Sequence, residues 1–402
     1  MKYNMNQPIP YGRQNITEED IEVVIETLKS DYLTQGPKIA EFEESFAAYV
    51  DSRYAVAVSN GTAALHLCAM SLNIQSGDKV ITTPITFAAS ANCIRYCGGE
   101  VVFADINPET YLLDIDKVRD LLESAPKGTY KGLIPVDFAG RAVNLEEFRN
   151  LAEEYNLWII EDSCHAPGGY FVDSNGNKQL CGNGQFADLA IFSFHPVKHI
   201  ACGEGGMITT NDKKLYEKLL KLRTHGITKS EEIFENSIEF AGGASGNSTF
   251  PNWYMEMQEL GYNYRLTDFQ AALGTSQLKR ADEGLEKRRM LAARYDQAFA
   301  DKKFAKGQSG VIEGHAYHLY VLEVDDRLGL YNYLRENKIF AQIHYIPCHL
   351  MPYYRELGWR EGDLAQSEEY YRNCISLPMY PTLEKNEQDF VIDHINNFYE
   401  VD

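Results

Sequence analysis

Short apolar segments and amphipathic helical segments alternate through the first half of this chain, and this alternation constrains its fold more than any other feature. Apolar segments this short suit buried strands. We predict strands over residues 54–58, 80–83, 101–105, 133–138, 157–162, 189–194 and 206–210. Helices are predicted between them, including residues 62–72, 115–124 and 145–155. Such alternation is typical of an α/β fold with a mostly parallel central sheet and helices on both faces.

The rest of the chain follows a different pattern. Near the N-terminus, Thr17 precedes three acidic residues and predicts the start of a helix, and a second helix is predicted over residues 39–50. Residues 228–258 are acidic and then rich in glycine, serine and asparagine, which predicts a mobile surface loop. Beyond this loop we predict one long helix from about Thr267 to about Arg294.

A smaller α+β unit is predicted at the C-terminal end of the chain. Its elements are a strand at residues 319–324, a helix at residues 328–337 and a terminal helix from Asn386. We therefore place a domain boundary near residue 262. The large α/β domain would span residues 13–262, and the small α+β domain would span residues 263–402 together with the N-terminal arm 1–12.

Composition narrows the classes of partner. The 402 residues carry a net charge of −20, which argues against nucleic acid, because phosphate backbones bind basic surfaces. No apolar stretch reaches the roughly 20 residues that span a bilayer, so we expect no membrane partner. The eight cysteines form no Cys-x-x-Cys pair, and the first residues lack the apolar core of a signal peptide. These features predict a cytoplasmic protein with reduced thiols.

An anion site is predicted where Ser59-Asn60-Gly61-Thr62 follows a strand and opens a helix. Free amides in the first turn of a helix, together with the Thr62 hydroxyl, can bind a phosphate group. Turns of this kind are also common without a ligand, so the motif alone is a weak signal. Ser193, at the end of another predicted strand, could add a hydroxyl to the same phosphate.

Lys198 lies just beyond Ser193 and before Gly203-Glu204-Gly205-Gly206. Open α/β sheets bind ligands at the carboxyl ends of their strands, which is where this lysine is predicted to lie. A lone lysine in a loop is more often a solvated charge. Here, however, other residues with matching chemistry follow neighbouring strands.

Asp162 ends a further predicted strand and could hold a pyridine nitrogen in its protonated form. His165 is placed to contact the phenolate oxygen of the same ring, and Phe87 could stack on its face. Each has an ordinary alternative, since Asp162 could cap a helix and Phe87 could belong to the core. Together with Lys198 they match the needs of a pyridoxal phosphate (PLP) enzyme. We therefore predict PLP as the cofactor.

His195 and His199 flank the lysine at a spacing that can bind zinc on a helix. Pro196 and the nearby glycines argue against a helix at this point. We therefore predict no metal site.

Four motifs occur in one order along the chain: Ser-Asn-Gly-Thr-Ala-Ala-Leu from Ser59, Glu-Asp-x-x-His-Ala from Glu161, Ser-Phe-His-x-x-Lys from Ser193, and Leu-Gly-Tyr-Asn-Tyr-Arg-Leu from Leu260. Together they resemble the signature set of the DegT-type nucleotide-sugar aminotransferases. The resemblance extends from Pro10 to Pro381 and implies the PLP-dependent transferase fold of type I. One departure is Pro167, where members of the family often have leucine.

The resemblance implies roles for individual residues. Lys198 matches the lysine that holds PLP as an internal aldimine, and Asp162 matches the partner of the pyridinium nitrogen. Asn263 matches an asparagine that reaches the phosphate of the neighbouring subunit's cofactor, which implies a homodimer with shared active sites. Phosphate contacts are implied for Gly61, Thr62 and Ser193.

Within the family the likeness is strongest to the aminotransferases of pseudaminic acid biosynthesis, on stretches that begin at Pro10, Asp31, Arg223 and Gln342. It implies L-glutamate as amino donor and a UDP-linked 4-keto-6-deoxy sugar, a UDP-2-acetamido-2,6-dideoxy-hexos-4-ulose, as acceptor. Substrate contacts are implied for Tyr11, Tyr32, Leu33, Thr34, Gln342, Ile343, His344 and Tyr345.

Three alternatives stay open. The chain could aminate a different nucleotide 4-keto-6-deoxy sugar. It could be a PLP-dependent sugar 3-dehydratase, although members with that activity carry histidine at the lysine position and Lys198 is intact here. It could also be a non-enzymatic regulator with a PLP fold, which the nearly complete set of cofactor residues disfavours.

Overall fold

A computed structural model describes residues 7–242, 249–309 and 312–400 of the chain. The strands are β1 Ile9–Pro10, β2 Tyr54–Val58, β3 Lys79–Thr82, β4 Glu100–Phe103, β5 Tyr130–Ile134, β6 Trp158–Asp162, β7 Tyr170–Val172, β8 Lys178–Leu180, β9 Leu189–Ser193, β10 Gly206–Thr210, β11 Ile227–Thr228, β12 Glu256–Met257, β13 Ala305–Gly307, β14 Tyr320–Val324, β15 Ile339–Phe340 and β16 Cys374–Leu377.

The helices lie between and around these strands. They are α1 Glu18–Leu28, α2 Pro37–Val50, α3 Gly61–Ser71, α4 Ala89–Tyr96, α5 Ile115–Glu123, α6 Leu145–Tyr155, α7 Lys213–Arg223, α8 Asp268–Leu278, α9 Ala281–Phe299, α10 Arg327–Glu336, α11 Pro352–Glu356, α12 Ala365–Asn373 and α13 Lys385–Glu400. Three-residue 3-10 turns occur at Phe138–Gly140, Glu231–Ile233 and Cys348–Leu350.

A seven-stranded sheet in the order β2-β10-β9-β6-β5-β3-β4 forms the centre of the molecule. Its neighbours run parallel except at β10, which is antiparallel to both β2 and β9. All seven strands predicted from the alternation of apolar and helical segments lie in this sheet. The prediction of an α/β fold with a mostly parallel central sheet is therefore confirmed.

Both faces of the sheet are buried, as helices on both sides require. Successive side chains of a strand point to opposite faces, and in β6 Ile160 joins one hydrophobic cluster while Ile159 joins another. Helix α3 packs in the first cluster and is buried along most of its length. This burial fixes the start of α3 against the sheet, which matters for the site.

The predicted strand at residues 133–138 lies a few residues too far along the chain, because β5 ends at Ile134. Pro135 has no N–H and cannot continue the ladder. Only a single bridge, from Val136 to Asp162, follows before the 3-10 turn at Phe138–Gly140.

The long helix predicted from Thr267 to Arg294 is wrong, because two helices, α8 and α9, meet at Lys279 and Arg280. Arg280 leaves the helical conformation, and its guanidinium pairs with the buried carboxylate of Asp20. Asp20 also accepts hydrogen bonds from Ser276 Oγ and Gln277 Nε2, both at 2.6 Å. The contact with α1 therefore interrupts the helix.

A three-stranded antiparallel sheet, β13-β14-β16, forms a second unit near the C-terminus. It packs with α9, α10 and α13 in a hydrophobic cluster of its own. At the other end of the chain, β1 pairs in parallel with β15, so residues of the N-terminal arm contact this unit. The domain boundary near residue 262 stays a prediction.

The segment 228–258, predicted as a surface loop, contains more structure than its composition suggests. The short strands β11 and β12 pair, and Phe234, Phe250 and Tyr254 form an aromatic cluster. Residues 243–248, from its glycine-rich part, lie outside the described residues. No helix within the described ranges is both long and apolar enough to cross a membrane.

Candidate functional site

A cavity of about 690 Å³ opens at the carboxyl ends of β6 and β9. Parallel sheets bind ligands at this edge. The cavity brings together ten of the predicted site residues: Tyr11, Gly61, Thr62, Phe87, Asp162, His165, Ser193, Lys198, His344 and Tyr345. These residues come from three parts of the fold. They are the N-terminal arm, the large sheet with the segments that follow its strands, and the segment after β15.

Lys198 lies in the turn after β9 and lines the cavity. Burial lowers the pKa of its amine and the Arg288 guanidinium lowers it further, whereas the Asp162 carboxylate, and Cys164 where its thiol is ionised, favour the charged form. A lowered pKa increases the fraction of free amine, which is the form that attacks a carbonyl. The lysine is therefore suited to nucleophilic chemistry rather than to a surface charge.

Asp162 ends β6 and is almost fully buried. Ser90 Oγ donates a hydrogen bond of 2.6 Å to its Oδ2, and the Cys164 amide donates one of 3.2 Å to Oδ1. Because the only hydroxyl hydrogen of Ser90 goes to the carboxylate, Thr86 Oγ1 donates to Ser90 at 2.8 Å. These contacts fix the orientation of the carboxylate at the cavity wall.

His165 is held as a neutral ring of defined tautomer. The Ala139 amide donates to its Nδ1 at 3.2 Å, so the proton of the neutral ring is on Nε2, which lies 3.3 Å from the Tyr345 hydroxyl. Burial, and after it the charge of Lys198, lowers the pKa of this ring well below its usual value. The His318 ring packs against it at a tilt of 36°, with ring centroids 4.3 Å apart. The ring can therefore donate one hydrogen bond into the cavity.

The start of α3 forms a close backbone cradle against β9 and β10. A Cβ atom on Gly61 would lie 3.1 Å from the Ser193 Cβ, and one on Gly206 would lie 2.6 Å from the Asn60 backbone. Asn60 caps the helix by accepting from the Ala63 amide at 2.8 Å. The first amides of the helix have no partner within the helix, so they can bind an anion such as a phosphate.

The donor set fits PLP. The cradle at α3 suits its phosphate, Asp162 suits its ring nitrogen, and Lys198 suits its aldehyde carbon. Phe87 is 64% exposed despite its apolar ring, and it faces the cavity, where it offers a stacking surface.

Six predicted site residues do not line this cavity. Thr34 and Asn263 form backbone bridges with Thr267 and Thr224, and Gln342 forms one with Ser376. Ile343 packs in the hydrophobic clusters beneath the site. The remaining two, Tyr32 and Leu33, are 55% and 49% exposed at the surface.

Sequence reasoning missed three residues that contact the site residues: Ser90, Cys164 and His318. Ser90 lies three residues after Phe87, the only site residue predicted in this part of the chain. His318 had no local signal, because its contact with His165 joins two distant parts of the chain. Glu161, next to Asp162, points to the other side of β6, where it accepts from the Gly182 amide at 2.9 Å.

Comparison with known proteins gives a consistent result. The profile of the DegT/DnrJ/EryC1/StrS aminotransferase family matches residues 14–396. The chain is 34% identical to the UDP-4-amino-4,6-dideoxy-N-acetyl-beta-L-altrosamine transaminase of Campylobacter jejuni, with 98% of each chain covered. It is 36% identical to the spore coat polysaccharide biosynthesis protein SpsC of Bacillus subtilis, covering 99% of this chain and 98% of that one.

Two solved structures have the same fold along nearly the whole chain. Helicobacter pylori PseC, an aminotransferase of pseudaminic acid biosynthesis, superposes with a TM-score of 0.86 at 28% identity, covering 98% of this chain and all of that one. The PLP form of the sugar aminotransferase Spr1654 of Streptococcus pneumoniae gives 0.84 at 28% identity, covering 98% and 99%. The chain therefore belongs to the DegT/DnrJ/EryC1/StrS aminotransferase family, and its cofactor is pyridoxal 5′-phosphate.

Proposed function

We propose that this protein transfers the amino group of L-glutamate to the C4 ketone of a UDP-2-acetamido-2,6-dideoxy-hexos-4-ulose. The product would be UDP-4-amino-4,6-dideoxy-N-acetyl-β-L-altrosamine, the sugar named in the C. jejuni relative, which matches 98% of this chain. The observation that carries the proposal is the cavity of about 690 Å³ that joins Lys198, Asp162 and the start of α3.

Lys198 is the proposed nucleophile and base. PLP supplies an aldehyde that binds amines and a protonated ring that withdraws electrons. In the first half-reaction Lys198 would take the proton from Cα of glutamate and pass it to the cofactor, and in the second it would take that proton back and deliver it to C4 of the sugar. The lowered pKa of its amine supports the first role.

The other cavity residues hold the cofactor in our proposal. Asp162, fixed by Ser90 and the Cys164 amide, places a negative charge opposite the ring nitrogen. His165 would direct its Nε2 proton to the ring oxygen instead of the Tyr345 hydroxyl, and Phe87 would stack on the ring face. Phosphate contacts are assigned to Gly61, Thr62 and Ser193. Tyr11, His344 and Tyr345 form the wall on which we expect the sugar to bind.

We propose a homodimer in which each active site is shared. Asn263 and the stretch Tyr32-Leu33-Thr34 are outside the cavity of their own chain, and Tyr32 and Leu33 are exposed. These positions are therefore available to a second subunit. We also propose that the reaction takes place in the cytoplasm, because all eight cysteines are free thiols, as in a reducing compartment.

Shared sites predict complementation between two defective subunits. Lys198→Ala and Asn263→Ala are each expected to be impaired, whereas their mixed dimer keeps one site with both residues intact. Co-expression with two different tags should restore about a quarter of the wild-type activity if subunits pair at random. Purified mixed dimers that stay as inactive as the parents would contradict the shared site.

The substrate assignment is tested by product structure. The protein, with PLP and glutamate, is incubated with UDP- and dTDP-linked 4-keto-6-deoxy sugars, and the configuration at C4 of each product is determined by NMR. We expect kcat/KM for the L-configured UDP substrate to be at least tenfold higher than for the other sugars. An enzyme discriminates between substrates by how tightly it binds their transition states. Lys213→Ala, an exposed lysine of α7, is the matched control and should behave like the wild type.

Amination of a D-configured 4-keto sugar instead would favour an aminotransferase for a different nucleotide 4-keto-6-deoxy sugar. The similarity to the spore coat protein SpsC also leaves this alternative open. Loss of the sugar's C3 hydroxyl without amination would indicate a 3-dehydratase. Absence of glutamate-dependent 2-oxoglutarate formation would contradict L-glutamate as the amino donor.

A further inference from the structure

Arg288 in α9 is a buried cation without a carboxylate partner. It is 1% exposed, and its Nη1 donates to three carbonyl oxygens, those of Tyr317 and His318 at 3.2 Å and of Met379 at 3.0 Å. Among residues 7–242, 249–309 and 312–400, no acidic side chain forms an ion pair with it. A buried charge that lacks an opposite charge destabilises the fold, so its presence calls for a functional reason.

The location of Arg288 supplies that reason. Arg288, Lys198 and His199 line a small cavity of about 40 Å³. Lys198 also lines the large cavity, so the lysine lies between the two. Other cations around the small cavity are either neutralised or in solvent. Arg280 pairs with Asp20, Lys287 pairs with Glu283, and Arg13 is exposed.

Most titratable groups that face Lys198 are uncharged near neutral pH. Burial lowers the pKa of the rings of His165, His199, His318 and His344, the last to about 3. Burial also raises the pKa of the Cys164 thiol and of the Tyr345 hydroxyl. The remaining charges that act on the lysine are therefore the Asp162 carboxylate and the Arg288 guanidinium.

These two charges act on the lysine in opposite directions. The Asp162 carboxylate favours the protonated amine, which cannot attack a carbonyl, and the Arg288 guanidinium favours the free amine. We propose that Arg288 is a positioning residue that acts on Lys198 through charge, offsets the Asp162 carboxylate and keeps the lysine nitrogen unprotonated for attack and proton transfer. This inference rests on the role proposed above for Lys198.

The test is a pH titration of the PLP-loaded protein. The visible absorbance of PLP bound to Lys198 reports whether the lysine nitrogen carries a proton. Arg288→Gln keeps a donor for the carbonyl oxygens but removes the charge. Because the positive charge that disfavours protonation is lost, the midpoint of the absorbance titration should rise by about one pH unit or more. Because a buried charge is weakly screened, the shift should persist in about 0.5 M salt. Arg288→Lys should restore the wild-type midpoint.

Arg289→Met is the matched control, since Arg289 is the neighbouring residue of α9, pairs with Glu286 and is partly exposed. Its midpoint should equal that of the wild type. If Arg288→Gln does not fold, Arg288→Met provides the uncharged variant. An unchanged midpoint in a folded, PLP-loaded uncharged variant would overturn the inference. If Lys198→Ala retained the same pH-dependent band, the proposed role of Lys198 would fail instead.

Discussion

Replacing Lys198 by alanine is expected to lower turnover by about four orders of magnitude or more, because the nucleophile and the base are lost together. The measurement is the formation of 2-oxoglutarate from glutamate, followed over hours with PLP in excess. Asp162 and the start of α3 are unchanged in this variant, so PLP should still bind, without its covalent bond to the protein. Thermal unfolding should show a folded protein.

Two further variants separate chemistry from structure. Lys198→Arg keeps a cation in the cavity but cannot supply a free amine, so it should be as inactive as the alanine variant. A small primary amine added to Lys198→Ala should restore part of the proton transfer, because removal of the lysine side chain leaves space for the amine in the cavity. Turnover above about one per cent of wild type in either variant without added amine would contradict the assignment of the base.

Replacing Asp162 by asparagine is expected to lower kcat by about 10²- to 10³-fold, the usual effect of removing one preorganised electrostatic contact. The amide is close to the carboxylate in shape: its oxygen can accept from the Cys164 amide, and its nitrogen can donate to Ser90 Oγ, which reverses that hydrogen bond, so the loss should come mainly from the missing charge. The dissociation constant of the nucleotide sugar should stay unchanged, which distinguishes a lost charge from a distorted cavity.

Glu161→Gln is the matched control for Asp162→Asn. It changes the same chemical group on the neighbouring residue of β6, but on the side of the strand that faces away from the cavity. Burial, and after it the charge of Asp137, raises the pKa of Glu161 well above its usual value, so glutamine removes less charge here than it would at an exposed glutamate. Activity should stay within about threefold of wild type. Equal losses in both variants would refute a specific role for Asp162.

The central sheet could be predicted from the sequence because its strands are buried on both faces and therefore read as continuous apolar runs. The two errors had different causes: one overlooked a local signal, and the other arose from a contact with a distant part of the chain. Pro135 ends β5 early, although the apolar run continues past it. The break between α8 and α9 depends on Asp20, which lies far away in the sequence and gives no local signal at Arg280.

In the site, too, local features could be predicted from the sequence, whereas contacts between distant residues could not. Motifs that lie on one strand and the turn after it, such as Ser193 to Lys198, could be located from the chain alone. Ser90 could not be linked to Asp162, because their hydrogen bond joins two elements 72 residues apart. The buried charge of Arg288 was equally hidden, since an arginine in a charged helix such as α9 normally faces solvent.

The pairing of β1 with β15 ties the two ends of the chain together at the cavity. Tyr11 follows β1, its carbonyl accepts from the Met379 amide at 2.9 Å, and it shares the cavity wall with His344 and Tyr345. A growing chain on the ribosome can therefore form the large sheet, which contains Lys198 and Asp162, long before the wall is complete. In the proposed function, capture of the cofactor can therefore begin during synthesis, whereas binding of the sugar requires the wall formed by Tyr11, His344 and Tyr345.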